Sequence, residues 1–303
     1  MTVAVMFAGV DIGGTGVKVG VVTSEGCVVA REQEKFHPEK HEPQDVVDLA
    51  VSVLHQVLKT TRLGLGDLEA VGVGCPGVLE AGGVIHAAAN FPSWLDVPLQ
   101  QLFTDTLGRP VTVCNDADAA ILAEQWVGTA KGGIKDFIML TLGTGVGFGV
   151  VANGQLVHGG SNAIEGGHMI VERNGRPSAG ALMSQAQEHL RAGRNSSLAK
   201  YSEEDINAEF VFKHAAEGDE LCKHLIEEAA DYLGFACVTF CRMLDPEIIV
   251  LSGGIAEAGE TYVDQIRRAY AKHTWTKFPN PVRIEKASAG YDSGIIGAVA
   301  TDE

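Results

Sequence analysis

Apolar residues come along this chain in short runs that end at glycine, and the runs alternate between two periods. Residues 7–10 form one such run, which stops at Asp11-Ile12-Gly13-Gly14-Thr15, and residues 17–23 form the next. Ser24-Glu25-Gly26 reads as a hairpin turn, and residues 27–30 as a third strand. Residues 44–62 then switch to helical spacing. Val46, Val47, Leu49, Ala50, Val53, Leu54, Val57 and Leu58 share one face there. Residues 64–67 read as a loop, and residues 70–73 as a strand that ends at the turn Cys75-Pro76-Gly77. Residues 88–98 read as irregular, residues 98–107 as a short helix and residues 111–114 as a strand. That strand runs straight into Asn115-Asp116 and an Ala-rich helix over residues 117–126.

After a Gly/Lys loop at residues 128–135 the opening pattern returns. Residues 137–142 are strand-like, residues 143–147 are a Gly turn, and residues 148–152 are a second strand. Asn153-Gly154 is a hairpin signal, and residues 155–157 continue. The order of strand, Gly turn, strand, tight turn, strand is that of residues 7–30, which predicts a duplication opening two related domains. Residues 159–172 read as a loop holding Glu165 and His168, residues 173–178 as a further loop, and residues 179–192 and 202–217 as helices. Residues 219–244 form a long apolar helix that ends at Asp245-Pro246. Residues 247–251 are a buried-type strand leading into Ser252-Gly253-Gly254-Ile255. A helix at residues 261–272, a strand at 282–286 and a small-residue helix at 293–300 complete an α/β pattern.

Composition narrows the function. The chain has 303 residues, 46% of them hydrophobic, enough for a sizeable core and about two domains at ~150 residues each. With Lys and Arg at 23 and Asp and Glu at 39, the net charge is −16, which opposes nucleic acid and anionic membrane surfaces. A phosphate donor is still compatible, because backbone N–H groups and a bound cation can hold it. No run approaches the ~20 apolar residues of a membrane span. The start lacks a signal-peptide pattern. The six scattered cysteines fit reduced, buried thiols, so a cytoplasmic protein is expected.

The candidate chemistry lies at the strand ends. In Asp11-Ile12-Gly13-Gly14-Thr15, glycine lets backbone N–H groups approach a phosphate. Asp11 there could hold Mg²⁺ directly or through water, with Lys18 close by. The turn leads into a strand, so it is neither a Walker A loop nor a Rossmann fingerprint. Gly143-Thr144-Gly145-Val146-Gly147 and Ser252-Gly253-Gly254-Ile255 are two more such turns. Each alone is an ordinary turn; three that each end a strand point to a nucleotide site. Asp116 has two readings, a helix N-cap worth ~1 kcal/mol or a general base worth ~10²–10⁴-fold in rate, and its position is compatible with both. Glu165 and His168 could bond a polyol or simply form a surface pair.

Taken in order, Asp11-Ile12-Gly13-Gly14-Thr15, Cys75-Pro76-Gly77, Asn115-Asp116-Ala117-Asp118-Ala119-Ala120, Leu142-Gly143-Thr144-Gly145-Val146-Gly147, Glu165-Gly166-Gly167-His168 and Ser252-Gly253-Gly254-Ile255 resemble the ROK family of sugar kinases and repressors. The resemblance covers nearly the whole chain. It implies an α/β fold of the actin-like, hexokinase type, with two ribonuclease H-like lobes around a central cleft. The first lobe would span residues 1–115, completed by the terminal helix at 290–303, and the second residues 116–289. By position, Asp116 matches the catalytic base. Asn115, Glu165 and His168 match sugar contacts, with Gly77 and Asn90 near the sugar. Asp11, Gly13, Gly14, Thr15, Gly143, Thr144 and Gly145 match the phosphate turns, and Gly253 and Gly254 the adenosine end. The implied activity is phosphorylation of a hexose 6-hydroxyl, with ATP and Mg²⁺, in a homodimer whose lobes close on sugar. A glucokinase fits best. An N-acetylhexosamine kinase is the alternative, or a kinase using polyphosphate, to which Asn-Asp-Ala-Asp-Ala-Ala is similar. A sugar-sensing regulator would carry a DNA-binding module before the first lobe, and an idle sugar binder would not need Asp116.

Many members of that family bind zinc through the His of a Glu-x-Gly-His motif and three cysteines in the segment that follows. Here the three positions carry Asn174, Arg176 and Ala181, and a sugar-contacting Glu of the same segment aligns with Met183. Zinc needs about four ligands, sulfur or imidazole by preference, so His168 alone does not hold it. The purified protein is expected to contain no stoichiometric zinc by elemental analysis; an equimolar content would overturn this reading.

Overall fold

The computed structural model describes residues 5–37, 41–80, 82–88, 91–143, 146–159, 164, 166–168, 182–202, 205–275 and 282–300. Contacts divide the chain into two units. One comprises Met1–Gly133, His158–Ile164 and Ser288–Glu303, and the other Ile134–Val157 and Glu165–Ala287.

The first unit begins with an antiparallel hairpin of β1 (Met6–Gly13) and β2 (Gly16–Thr23), extended by β3 (Val28–Lys35). The third strand runs five residues further than the apolar pattern, because its outer half is polar and exposed at a sheet edge. α1 (Pro43–Thr61) starts on Pro43, whose missing N–H costs nothing in the first turn. It buries Val46, Val47, Ala50, Val53, Leu54, Val57 and Leu58, the face its spacing predicts. It ends where Arg62 turns left-handed. A single 3₁₀ turn, Leu65–Asp67, stands where a loop is expected. β4 (Leu68–Cys75) follows, pairing parallel with β1.

Residues 88–98, expected to be irregular, instead fall almost wholly in strands, and the strands just before them belong to the same sheet. β5 (Val78–Glu80), β6 (Val84–Ala88) and β7 (Phe91–Pro98) form a three-stranded antiparallel sheet. In β7 it is Phe91, Trp94 and Val97 that are buried, every third residue. A strand normally alternates with period two; here the register shifts between β6 and β7, and Asp96 adopts φ +51°. The sequence pattern therefore does not look like a strand. α2 (Leu99–Leu107) leads to β8 (Thr112–Asn115), parallel to β4, and then α3 (Asp116–Trp126).

The second unit repeats this plan. β9 (Phe137–Leu142), β10 (Val146–Ala152) and β11 (Gln155–Leu156) are antiparallel neighbours. α4 (Leu182–Arg191) and α5 (Ala208–Ala216) follow. α5 starts at Ala208, six residues later than the pattern predicts, and is capped by Asn207, whose side chain accepts from the Phe210 N–H at 3.0 Å. α6 (Glu220–Leu244) is capped by Asp219 and stopped at Asp245, in left-handed conformation, just before Pro246. β12 (Ile248–Ser252) runs parallel to β9, α7 (Glu260–His273) packs on α6, and β13 (Arg283–Lys286) runs parallel to β12. Strand order is β3-β2-β1-β4-β8 in the first sheet and β11-β10-β9-β12-β13 in the second. Order and direction match strand for strand, so the duplication expected from the repeated Gly turns is present in the fold.

The chain then returns to the first unit as α8 (Ser293–Val299), which packs on β1, β4 and α3. α3 thus groups with the first unit, beyond the boundary expected at Asn115. The packing is close enough to exclude a methyl group. A Cβ on Gly297 would lie 1.6 Å from the Ala119 carbonyl oxygen, and one on Gly72 1.9 Å from that of Ala298. Small residues here bring α3 and α8 close together above the sheet. Gly297→Ala should destabilise the protein by about 3 kcal/mol or more in urea unfolding, because rigid backbone cannot move aside. Gly66→Ala, where an added Cβ meets nothing within 4 Å, should stay within ~0.5 kcal/mol of wild type.

Candidate active site

Three parallel strands of the first unit end at one level. Asp11 of β1 pairs with Gly74 of β4, and Cys75 of β4 with Asn115 of β8. In open α/β sheets this carboxyl edge is where ligands bind. At that edge Asn115 caps α3. Its Oδ1 accepts from the N–H groups of Ala117 at 2.8 Å and Asp118 at 3.4 Å, and its Nδ2 donates to the Gly77 carbonyl at 2.9 Å. One side chain thus closes the first helical turn and ties it to the turn after β4. Gly77 has φ +130°, and a Cβ there would press on Ala87 and Ala88, so this turn requires glycine.

Asp116 is therefore the first residue of the helix and not its cap. It keeps access to solvent, with Oδ1 accepting from the Ala117 N–H at 2.9 Å. Desolvation by surrounding protein raises its carboxyl pKa above the ordinary value. The Ala117 N–H works against that rise, and the Asp11 carboxylate adds to it. Desolvation also raises Asp118, while His158, whose Nδ1 lies 3.6 Å from Oδ2, pulls it down. Beneath them Cys75 is fully buried, and burial followed by the nearby Asp116 charge pushes its thiol far above the usual range. It is a neutral packing group, not a nucleophile.

Asp11, Gly13, Gly14, Thr15 and Lys18 all lie on the β1–β2 hairpin. Lys18 Nζ donates to Asp11 Oδ2 at 3.2 Å and to the Tyr291 carbonyl at 3.0 Å, and stands 3.9 Å from the centre of the Tyr291 ring. Tyr291, which the sequence reading did not single out, thus holds the lysine in place. A Cβ on Gly294 would come within 2.5 Å of the Asp11 carboxylate, so the start of α8 leaves room for it. A single carboxylate suits Mg²⁺, which keeps several waters and uses one or two carboxylates beside substrate phosphates. Among the described residues no group of three or more His, Cys, Asp or Glu is gathered as for a metal.

In the second unit the equivalent edge carries glycine. Gly143 follows β9, with open space where a Cβ would stand. Gly253 follows β12 at φ +89°, and a Cβ there would meet the Leu142 backbone at 2.5 Å. The Ile255 N–H donates to the Leu142 carbonyl at 3.0 Å, and Gly254 faces open space. Gly166, Gly167 and His168 form a 3₁₀ turn laid flat on β10, where a Cβ on Gly167 would lie 1.7 Å from the Val146 oxygen. Asn90, Thr144, Gly145, Glu165 and the segment with Asn174, Arg176 and Ala181 lie outside the described residues, as do the side chains of His168 and Met183.

The chain matches the ROK family over residues 7–301. It is 32% identical to a glucokinase of Halalkalibacterium halodurans, over 96% of this chain and 93% of that protein. Among solved structures it is similar to a ROK hexokinase from Thermus thermophilus, with TM-score 0.81, 27% identity and coverage of 98% and 97%. It also resembles a ROK glucokinase from Streptomyces griseus in complex with glucose and AMPPNP, with TM-score 0.76, 26% identity and coverage of 97% of each chain. This protein belongs to the ROK family. Its fold is the actin-like ATPase fold of these sugar kinases.

Because the folded state raises the pKa of Asp116, ionising it costs stability. That cost is absent below about pH 3.8, the ordinary value, and grows as pH rises through the folded-state pKa. Asp116→Asn should therefore melt at the same or a higher temperature than wild type at pH 7, with the difference shrinking towards pH 4. A lower melting temperature at pH 7 would contradict the desolvated carboxylate. Asn115→Ala should cost about 1–2 kcal/mol through the lost cap.

Proposed function

We infer that this protein is an ATP-dependent hexose kinase that phosphorylates a sugar 6-hydroxyl, glucose by preference. The single observation that carries this reading is the carboxylate of Asp116. It stands at the carboxyl edge of three parallel strands, freed from capping by Asn115, with its proton affinity raised by desolvation. Such a group is a general base for a hydroxyl. The resemblance to glucokinases and to a hexokinase supports the sugar as its substrate.

In this account the sugar hydroxyl sits against Asp116. The carboxylate takes the proton as the oxygen forms its bond to the γ-phosphorus, the bond to the β,γ-bridging oxygen breaks, and ADP leaves. The turn at Gly13, Gly14 and Thr15 and the turn at Gly143, Thr144 and Gly145 hold donor phosphates through backbone N–H groups. Gly253 and Gly254 leave space for the adenosine end. Asn115 gives its second amide hydrogen to a sugar hydroxyl, its other polar capacity being committed to Gly77, Ala117 and Asp118. Gly77, Asn90, Glu165 and His168 complete the sugar side. Asp11 would hold Mg²⁺, directly or through water, and the ion when bound would supply charge neutralisation for the donor phosphates. Lys18 keeps Asp11 oriented until then. The working form is a cytoplasmic homodimer.

Asp116→Asn should fold and bind glucose but lose turnover by ~10² or more. The acid limb of kcat/KM in the wild type should lie above pH 3.8, the ordinary aspartate value, because desolvation raises Asp116. Retained turnover in the Asn variant would remove Asp116 from the role.

A further inference from the structure

A further carboxylate in α3, that of Glu124, has no part in that chemistry. Glu124 is 1% exposed, two turns on from Asp116, and its side chain accepts from several backbone N–H groups. Oε2 accepts from the Thr129 N–H at 2.7 Å, and Oε1 from the N–H groups of Ser288 at 2.9 Å and Ala289 at 2.6 Å. Thr129 Oγ1 donates to Ser288 Oγ at 2.9 Å, so the two bound segments are also tied to each other. The Glu124 carbonyl accepts from the Ala130 N–H. A Cβ on Gly128 would lie 2.2 Å from Oε2, so the neighbouring glycine makes room for the carboxylate.

What the carboxylate holds is where the chain passes between its two units. Those passages include Gly133 to Ile134 and Ala287 to Ser288. Just beyond each one the chain is anchored again, this time within the second unit. The N–H groups of Lys135 and Asp136 donate to Glu247 Oε1 at 2.9 and 3.4 Å, and the Ala287 N–H donates to the Leu251 carbonyl at 2.8 Å. Between the anchors little remains. On one passage Gly132 and Gly133 sit at φ +89° and +93°, with open space where a Cβ would be. On the other only the peptide from Ala287 to Ser288 remains. The chain also passes at 157–158 and 164–165, where His158 is held to Asp118.

We propose that Glu124 is a positioning residue for phosphoryl transfer: by pinning Thr129, Ser288 and Ala289 to the first unit, it confines the hinge of sugar-driven closure to Gly132–Gly133 and the Ala287–Ser288 peptide. Glu247 is its counterpart on the second unit. The proposal rests on the kinase reading for its link to turnover, and on the bonds alone for the hinge. Glu124 acts through the backbone it holds and touches no reacting atom.

The test compares the full-length wild type with Glu124→Gln and with the double variant Gly132→Ala, Gly133→Ala. It reads kcat, KM, glucose affinity by calorimetry, melting temperature and amide hydrogen exchange with and without glucose. Gln keeps the shape of Glu but puts an NH₂ group against backbone donors. Exchange at Thr129, Ser288 and Ala289 should speed up by tenfold or more, and kcat should fall by about tenfold, with glucose Kd within threefold. The double alanine variant strains only the free linker. It should melt within a few degrees of wild type and keep its glucose Kd, yet lose kcat by fivefold or more. Glucose should slow or speed exchange at residues 131–134 in the wild type and not in the double variant. An unchanged kcat in the double variant would overturn the proposal, as would a Gln variant in which kcat holds while the three amides lose protection. If the wild type turns over no sugar, the kinase reading fails. The hinge is then judged by glucose-dependent exchange at residues 131–134 alone, and its absence overturns the hinge too.

Discussion

Asn115 lets the rest of the site exist. A helix that begins directly at a strand end leaves its first N–H groups without partners, and the nearest acid would ordinarily take them. Here the amide oxygen of Asn115 takes two, and its NH₂ group ties the Gly77 carbonyl to the same point. Asp116 is thereby left as the first residue of the helix rather than its cap, sharing only the Ala117 N–H with Asn115. A carboxylate in that place is desolvated and near a second acid, Asp11, and both effects raise its proton affinity. Ionising it there costs stability, and close packing elsewhere offsets that cost.

That packing is built from small residues. α8 lies against β1, β4 and α3 because glycine and alanine let backbone approach backbone, as at Gly297 on Ala119 and Gly72 on Ala298. The last helix of the chain thus supports the strands and helix that carry Asp11, Asn115 and Asp116. Glu124 fastens the segment that leads into it, through the N–H groups of Ser288 and Ala289. In the second unit the same sheet order ends in glycine at 143 and 253. A duplicated frame has therefore been given two different endings, one bearing the Asp116 carboxylate and one bearing glycines, with open space beside Gly143 and Gly254.

Much of this was legible in the residues. The repeat of strand, Gly turn, strand, tight turn, strand announces two related sheets. The α1 face follows from 3.6-residue spacing. Other features left no such trace. Burial in β7 falls on every third residue around a register shift, a pattern that resembles neither strand nor helix. Asn115 and Asp116 are both good caps, and only coordinates show which of them takes the role. Glu124 sits in an Ala-rich helix, where an acid past the first turn looks like a solvent-facing residue; its partners include backbone groups up to 165 positions away, and backbone has no side-chain signature. Tyr291 was equally silent, because its contact with Lys18 joins opposite ends of the chain.

The central claim, that Asp116 serves a kinase acting on a hexose, is tested most directly by ADP release from Mg-ATP with glucose, and with N-acetylglucosamine and N-acetylmannosamine in parallel. The account predicts glucose-dependent ADP release, saturable in glucose and absent without sugar. No sugar-dependent release from ATP in any arm would contradict it, and release confined to an acetylated sugar would contradict the choice of glucose while leaving the chemistry at Asp116 in place.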